Sequence, residues 1–341
     1  HVHSEYSLLD GLPKIGKLIS RVKELEMPAV ALTDHGTMYG TIEFYKECTR
    51  EKIKPIIGVE AYIVSGDHKS KSGKGDAQNL HLTLLASNYF GYKNLMQITT
   101  IAHLEGFYYR PRVSKEILKK YSEGLICLSG CGKSELGQLS AEGHMDPATQ
   151  VAGWYSEVFG PNYYLEIQRH LYKDYLEAAK SLPKVQARLS EMQTAEDNRV
   201  ANTVKLSRKL GIPLVATNDV HYLAATDATA QDALVCISTG KTVSEVDRLR
   251  YVDAPTFYLR SADEMSRIFP DLSDAITNTT KIAENCGLQI ELGKWYFPKI
   301  NLPEGKSAPV VLRELAQRRL PDRYSHPPAD EVQKRLEFEL D

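Results

Sequence analysis

The feature that most constrains this chain is a repeated switch between helical periodicity and short apolar runs. From Leu12 to Glu26 the residues Ile15, Leu18, Ile19, Val22 and Leu25 recur at helical spacing, and Pro28 ends that helix before the run Val30, Ala31, Leu32. A helix therefore feeds a buried strand. Further apolar runs at 56–64, 82–86, 125–128, 163–167 and 212–216 are separated by helically patterned segments. With a strand around Val2 the pattern amounts to about seven βα units, an α/β arrangement of barrel type. Periodicity leaves open whether the sheet closes or stays open, because both arrangements share this alternation.

A chain of 341 residues with 42% hydrophobic composition can bury the core of one large barrel or of two domains. The segment 66–76, rich in Gly, Ser and Lys, is expected to be a mobile surface loop. After Asp263 the alternation stops, Pro and Gly punctuate 298–309, and two short helices are expected at about 310–319 and 330–340. The barrel is assigned to 1–270, and 271–341 to a linker and the start of a second, mainly helical segment. No apolar run approaches the roughly 20 residues of a membrane span, and nothing at the start reads as a signal peptide, so the expectation is a soluble, cytoplasmic protein with no membrane partner. Five cysteines without a C-x-x-C pair do not suggest a disulfide framework. The net charge of −2 gives no global footprint for nucleic acid, so such contact must be local. The first residue is His1 rather than Met, which suggests a start inside a longer protein.

Residues just past the carboxyl ends of parallel strands share one mouth. In chain order the strand ends carry His1 and His3, Asp34 and His35, Glu60, Cys131, Glu166, then Asp219 and His221. These residue types suit zinc or manganese. Asp10, in the loop after the first strand, and His81, which precedes its apolar run, are further candidates, and His81 departs from the strand-end rule. A single loop His or Asp is ordinarily a surface or capping group, and a lone Cys131 a small buried hydrophobe. The case rests on their joint placement at successive strand ends. Gly130, Gly132, Lys133 and Ser134 imitate a phosphate-binding loop, but Cys127 stands where that loop needs glycine, so Lys133 and Ser134 are expected simply to begin a helix.

The strings HVHSEYSLLDG, ALTDHGTMYG, IIGVEAYI, HLTLLASN, EGFYYRPR, LSGCGKSEL and ATNDVHY resemble, in order, the PHP (polymerase and histidinol phosphatase) domain of bacterial DNA polymerase III alpha subunits. The resemblance runs from His1 to about Leu259. It implies a distorted (β/α)7 barrel followed by an incomplete beginning of the polymerase palm region. It also implies a metal-ligand set of His1, His3, Asp10, His35, Glu60, His81, Cys131, Asp219 and His221, which removes Asp34 and Glu166 and admits His81. Up to three divalent ions are implied, zinc foremost because of the thiolate and imidazoles, with manganese or iron as alternatives.

Such a site suits hydrolysis of a phosphoester, and in this polymerase context the expected reaction is 3′-to-5′ removal of a terminal nucleotide, with the ligands themselves as the catalytic residues. Tyr108, Tyr109, Arg110 and Arg112 are candidate contacts to the DNA primer terminus, since guanidinium groups pair phosphates and aromatic faces stack on unpaired bases. No Asp-x-Asp pair occurs, so this chain alone is not expected to synthesise DNA. The expected partners are DNA, the remainder of a polymerase chain, and replisome subunits such as a separate proofreading exonuclease or a sliding clamp. The alternatives are a metal-braced scaffold that docks such a subunit, and a free-standing phosphatase, which the helices after Pro309 argue against.

Overall fold

The computed structural model describes residues 1–71, 79–324 and 328–341. In chain order the first part forms α1 (Ile15–Glu24), β1 (Ala29–Leu32), α2 (Thr41–Arg50), β2 (Lys54–Val64), β3 (Leu80–Ala86), α3 (Tyr89–Leu104) and β4 (Arg112–Ser114). There follow α4 (Lys115–Lys120), β5 (Leu125–Leu128), α5 (Glu135–Glu142), α6 (Met145–Phe159), β6 (Tyr163–Ile167), α7 (Pro183–Leu210) and β7 (Leu214–Ala216). Then come α8 (Ala228–Thr239), α9 (Ala262–Ile268) and α10 (Ser273–Asn285). Of the expected loop 66–76, residues 66–71 carry no helix or strand, and 72–76 lie outside the described residues.

Local chemistry accounts for the elements that matter here. Helix α1 buries Ile15, Leu18, Ile19 and Val22 on one face, as the spacing predicts. The 28-residue α7 ends at Gly211, whose left-handed backbone (φ 69°) turns the chain into β7. At the start of α3 the chain passes very close to the turn before β5. A Cβ on Gly91 would lie 1.8 Å from the Gly124 carbonyl oxygen, so only glycine fits there.

The strands form one seven-stranded sheet in the order β1-β2-β3-β5-β6-β7, with β4 beside β2. Neighbours β1/β2, β2/β4, β5/β6 and β6/β7 are parallel, whereas β3 runs antiparallel to both β2 and β5. This reversal departs from the all-parallel reading, and it explains His81. Because β3 points the other way, its first residues lie at the end of the sheet where its neighbours finish, and His81 pairs with Tyr62 late in β2. The two edges of the sheet are linked through the Val2 segment. His3 N donates to Val220 O (2.8 Å) beyond β7, and Thr33 N donates to Val2 O (2.9 Å) beyond β1. The result is a distorted α/β barrel with helices on its outside.

The main core runs from Ile15 and Leu18 through Val59, Leu84 and Leu165 to Leu214 and Ala275. Helix α10 belongs to it: Ala275 is fully buried and Asn278 Nδ2 donates to Leu214 O in β7 (2.8 Å). The compact unit therefore spans His1–Ile290, past the expected boundary at 270. A second unit, Glu291–Asp341, holds α11 (Ala308–Arg323) and α12 (Asp330–Leu340). Arg313 of α11 pairs with Glu337 and Asp341, and neither helix has a buried residue. Among the described residues no helix is long and apolar enough to cross a membrane, and all five cysteines are buried and unpaired.

One expected nucleic-acid contact is corrected by the fold. Arg112 is fully buried at the start of β4. Its Nε donates to Gly106 O (3.0 Å), and Nη2 donates to His68 O (3.0 Å) and Ser70 O (2.9 Å), with the guanidinium over the Tyr108 ring. The side chain ties two loops to the sheet and has no face left for DNA. Arg112→Met is expected to lower stability by about 3 kcal/mol, because buried carbonyls lose charged donors. Arg112→Lys should recover only part, since an ammonium lacks the planar fork. Urea denaturation reads this, and a loss below about 1 kcal/mol would mean that water replaces the guanidinium.

Candidate metal centre

The mouth of the barrel gathers all nine of the expected ligand residues. His1 and His3 flank Val2 on extended chain, so both rings face inward on one side. Glu60 lies within β2 rather than at its end, and its carboxylate is the hub. Oε1 is 3.0 Å from His1 Nε2, 2.6 Å from His81 Nδ1 and 3.6 Å from Cys131 Sγ. Oε2 meets His35 Nδ1 and lies 3.7 Å from His3 Nε2. Asp219 Oδ1 is 3.2 Å from His3 Nε2, 3.4 Å from His1 Nε2 and 3.5 Å from His221 Nδ1. Asp10 Oδ2 reaches His35 Nε2 at 3.2 Å and His221 Nε2 at 3.7 Å. Three overlapping groups of donor atoms result: His3, His35 and His221; His1, His3 and Asp219; and His35, Glu60 and His81.

The two carboxylates left open by strand-end logic stand behind this ring. Glu166, inside β6, accepts from His1 Nδ1 (2.8 Å), Thr217 Oγ1 (2.5 Å), Gln168 Nε2 (3.1 Å) and Gly130 N (3.1 Å). It fixes the His1 ring with Nε2 turned toward Glu60. Asp34 accepts from Ser4 N (2.6 Å), Ser4 Oγ (2.8 Å) and Ser7 Oγ (2.7 Å), and Ser7 in turn bonds His3 Nδ1 (3.0 Å). Carboxylates and hydroxyls placed behind imidazoles in this way set the tautomer and orientation of the ring. Asp219 adopts a left-handed backbone (φ 50°), which Asp tolerates better than most residues. Asn218 anchors that turn by donating to Thr256 O (2.9 Å) and Tyr258 O (2.7 Å).

Residues 1–170 match the family described as the PHP domain. The chain belongs to the PHP-domain family. Similar curated proteins include DNA polymerase III subunit alpha of Borreliella burgdorferi, 45% identical over 84% of this chain and 23% of that protein. The subunit alpha of Helicobacter pylori is 41% identical over 86% of this chain and 23% of its own length. That of Treponema pallidum is 38% identical over all of this chain and 27% of its own length. This PHP chain thus spans about a quarter of the length of the relatives it matches.

The donor set of this PHP barrel fits divalent cations on an observation of its own. His1 Nε2, His3 Nε2, His35 Nδ1, Glu60 Oε2, Asp219 Oδ1 and His221 Nε2 are buried and make no aligned hydrogen bond, although they face one another. Buried polar atoms ordinarily have an aligned partner, so six that lack one and face one another around a single ring fit a place for cations. The electrostatics agree. Burial, followed by the charge of His35 and His221, lowers His3 to about 3, so it stays a neutral donor. Burial would raise Glu60 and Asp219, but the surrounding imidazoles hold both carboxylates well below their ordinary range. Burial would lower His35, yet Glu60 and Asp10 raise it to about 9. Burial and the nearby Glu60 push the Cys131 thiol well up, an effect a bound cation would reverse.

Two openings adjoin the centre. One, of about 250 Å³, is lined by Cys131, Lys133, His170, Arg199, Asp219 and Tyr251. The other, of about 480 Å³, is lined by Asp10, Tyr62, Phe107, Tyr109, Arg110 and Lys133. Of the expected DNA contacts, Tyr109 (73% exposed) and Arg110 stand in this second groove, with Arg110 over the Tyr62 ring and Tyr108 half-buried against Tyr109. Sequence reasoning missed His170 and Arg199, which sit on either side of a connection that periodicity does not describe. The sole clue was the placement of His170 just after the sixth apolar run.

Glu166→Gln should weaken divalent-metal binding about 10- to 100-fold, the usual effect of disturbing a partner behind a ligand. Competition against a chromogenic chelator measures this. A chelator in excess should also lower the melting temperature of the parent protein, as linkage requires of an ion that binds only the folded state. An unchanged melting temperature on chelation would remove the metal from this centre.

Proposed function

We propose that this chain is the N-terminal PHP region of a bacterial replicative DNA polymerase alpha subunit. On this reading its centre removes nucleotides from a DNA 3′ end by metal-dependent phosphodiester hydrolysis, a proofreading step. The observation that carries the reading is the nine converging donors, six of whose buried atoms lack an aligned partner, set beside openings lined by Lys133, Arg110 and Arg199. His1, His3, Asp10, His35, Glu60, His81, Cys131, Asp219 and His221 would hold up to three divalent ions. Three overlapping donor groups support that number. The thiol of Cys131 and five imidazoles favour zinc, with manganese or iron able to use the same mixed set. Divalent ions in such a site lower the pKa of bound water to about 7 and neutralise the oxygen leaving phosphorus.

The protein's own groups have defined tasks. Glu60 and Asp219 supply the negative charge that retains cations, and Glu166 and Ser7 hold the His1 and His3 rings in position. Tyr109 offers an exposed ring to an unpaired base, and Arg110 a charge to the phosphate beside it. No separate general base is assigned.

A second reading has one observation in its favour. His1, His3 and Glu60 are nearly or fully buried, as suits ions that brace a barrel supporting the polymerase or docking a separate proofreading subunit. Nucleotide release from a 3′-labelled primer separates the two. The expected result is divalent-metal-dependent release by the parent protein and background release by Asp219→Asn of unchanged circular dichroism. Equal release by both, or none by the parent with metal bound, favours bracing.

A further inference from the structure

The turn after β5 reads Gly130, Cys131, Gly132, Lys133, Ser134, and the ligand set uses only Cys131. Ser134 caps α5, its Oγ accepting from Gly137 N (2.9 Å). Gly130 makes the left-handed turn (φ 85°) that brings its N to Glu166. Gly132 and Lys133 have no such account. A Cβ on Gly132 would lie 2.7 Å from Arg199 Nη1 and 3.3 Å from its Cζ, so the guanidinium from α7 rests against a bare Cα. The Arg199 side chain is only 16% exposed, and its one ion pair among the described residues, to Glu196 Oε2, spans 4.0 Å. Glu196 is already engaged, accepting from His170 N (2.7 Å) and Leu171 N (3.1 Å).

Among the described residues nothing hydrogen-bonds the Arg199 guanidinium or the Lys133 ammonium, and both groups line the opening bordered by Cys131, Asp219 and His221. Lys133 also lines the opposite groove, with Arg110. The Arg199 donors keep access to solvent in this opening, so a partly buried guanidinium without a protein hydrogen bond offers them to an entering anion, the charge-assisted bond it makes best. We infer that Gly132, Lys133 and Arg199 form a phosphate cradle. It holds a backbone phosphate of the substrate strand adjacent to the one being cleaved, and so favours an oligonucleotide over a small phosphomonoester. Which phosphate is held rests on the hydrolytic reading above; the capacity to bind an anion does not.

Two measurements test the cradle. The first is labelling of the parent protein by phenylglyoxal, mapped peptide by peptide, in inorganic phosphate and in chloride of equal ionic strength. Phosphate should slow labelling of Arg199 several-fold, and Gly132→Ala, whose methyl displaces the guanidinium, should abolish the protection. Labelling of Arg199 at the same rate in both salts overturns the cradle. The second is steady-state hydrolysis of a trinucleotide and of a mononucleotide. Arg199→Gln should raise KM for the trinucleotide about tenfold, leave kcat within about twofold, and spare the mononucleotide, with Arg199→Lys partly restoring KM. An unchanged trinucleotide KM overturns the assignment. Protection by phosphate without hydrolysis of either substrate by the parent protein would uphold the cradle and remove the exonuclease reading instead.

Discussion

The structure around the barrel mouth depends on the carboxylate of Glu60, a charge with no exposure to water. In isolation such a burial is prohibitive, and removing one partner of a buried ionic group ordinarily costs about 3–5 kcal/mol. Here His1, His35 and His81 approach the same carboxylate from three different chain segments. The segments that carry them have to converge, so the electrostatics of one side chain constrain the path of the Val2 segment, the end of β1 and the start of β3. The alternation of apolar runs builds the barrel, and this one charge determines which ends of its strands meet.

The reversal of β3 follows from the same need. In an all-parallel sheet the residue opening a strand would sit at the far end from the residues closing its neighbours, roughly the length of the strand away. His81 opens β3 and still touches Glu60, which is possible only because β3 is antiparallel to β2 and β5. The barrel is distorted at the strand where the contact between His81 and Glu60 requires it. The same logic applies to Asp219, where left-handed backbone next to an anchored Asn218 lets Asp219 and His221 both reach the centre. Strain of this kind persists only where surrounding bonds over-determine it.

Much of this was legible in the residue pattern, and the limits have physical causes. Periodicity located six of the seven strands because burial on both faces writes a run of apolar residues, as at 56–64 and 163–167, whereas three-residue β4 writes no such run and the expected strand around Val2 is an isolated bridge to Val220. Direction is not written in such a run, so the orientation of β3 was invisible and His81 looked out of place until the family resemblance admitted it. Strand-end logic gathered Asp34 and Glu166 with the inner ring because both lie at the mouth. Whether a carboxylate faces a metal or stands behind a histidine depends on which way one side chain points. Arg112 failed as a nucleic-acid contact for a related reason. An arginine beside aromatic residues and a proline has the composition of a binding loop, while its actual role, donating to Gly106, His68 and Ser70, requires contacts that composition does not encode.

The buried charges also bear on how this fold is held. Three carboxylates, Asp10, Glu60 and Asp219, face five imidazoles, and two of those imidazoles are shifted in opposite directions: burial and the charges of His35 and His221 lower His3 to about 3, while Glu60 and Asp10 outweigh burial and raise His35 to about 9. A ring of groups whose protonation preferences conflict does not have one comfortable proton arrangement. Divalent cations, where bound as proposed, would remove the conflict, because neutral imidazole and ionised carboxylate are the forms that both ligate and pack. The barrel wall is otherwise well satisfied at the same depth, with Glu166 accepting five hydrogen bonds and Asp34 three among the described residues. The contrast between saturated carboxylates behind the ring and donors without an aligned partner within it supports the proposal that cations sit inside the ring, and it makes the outer carboxylates the elements that keep the ring in shape.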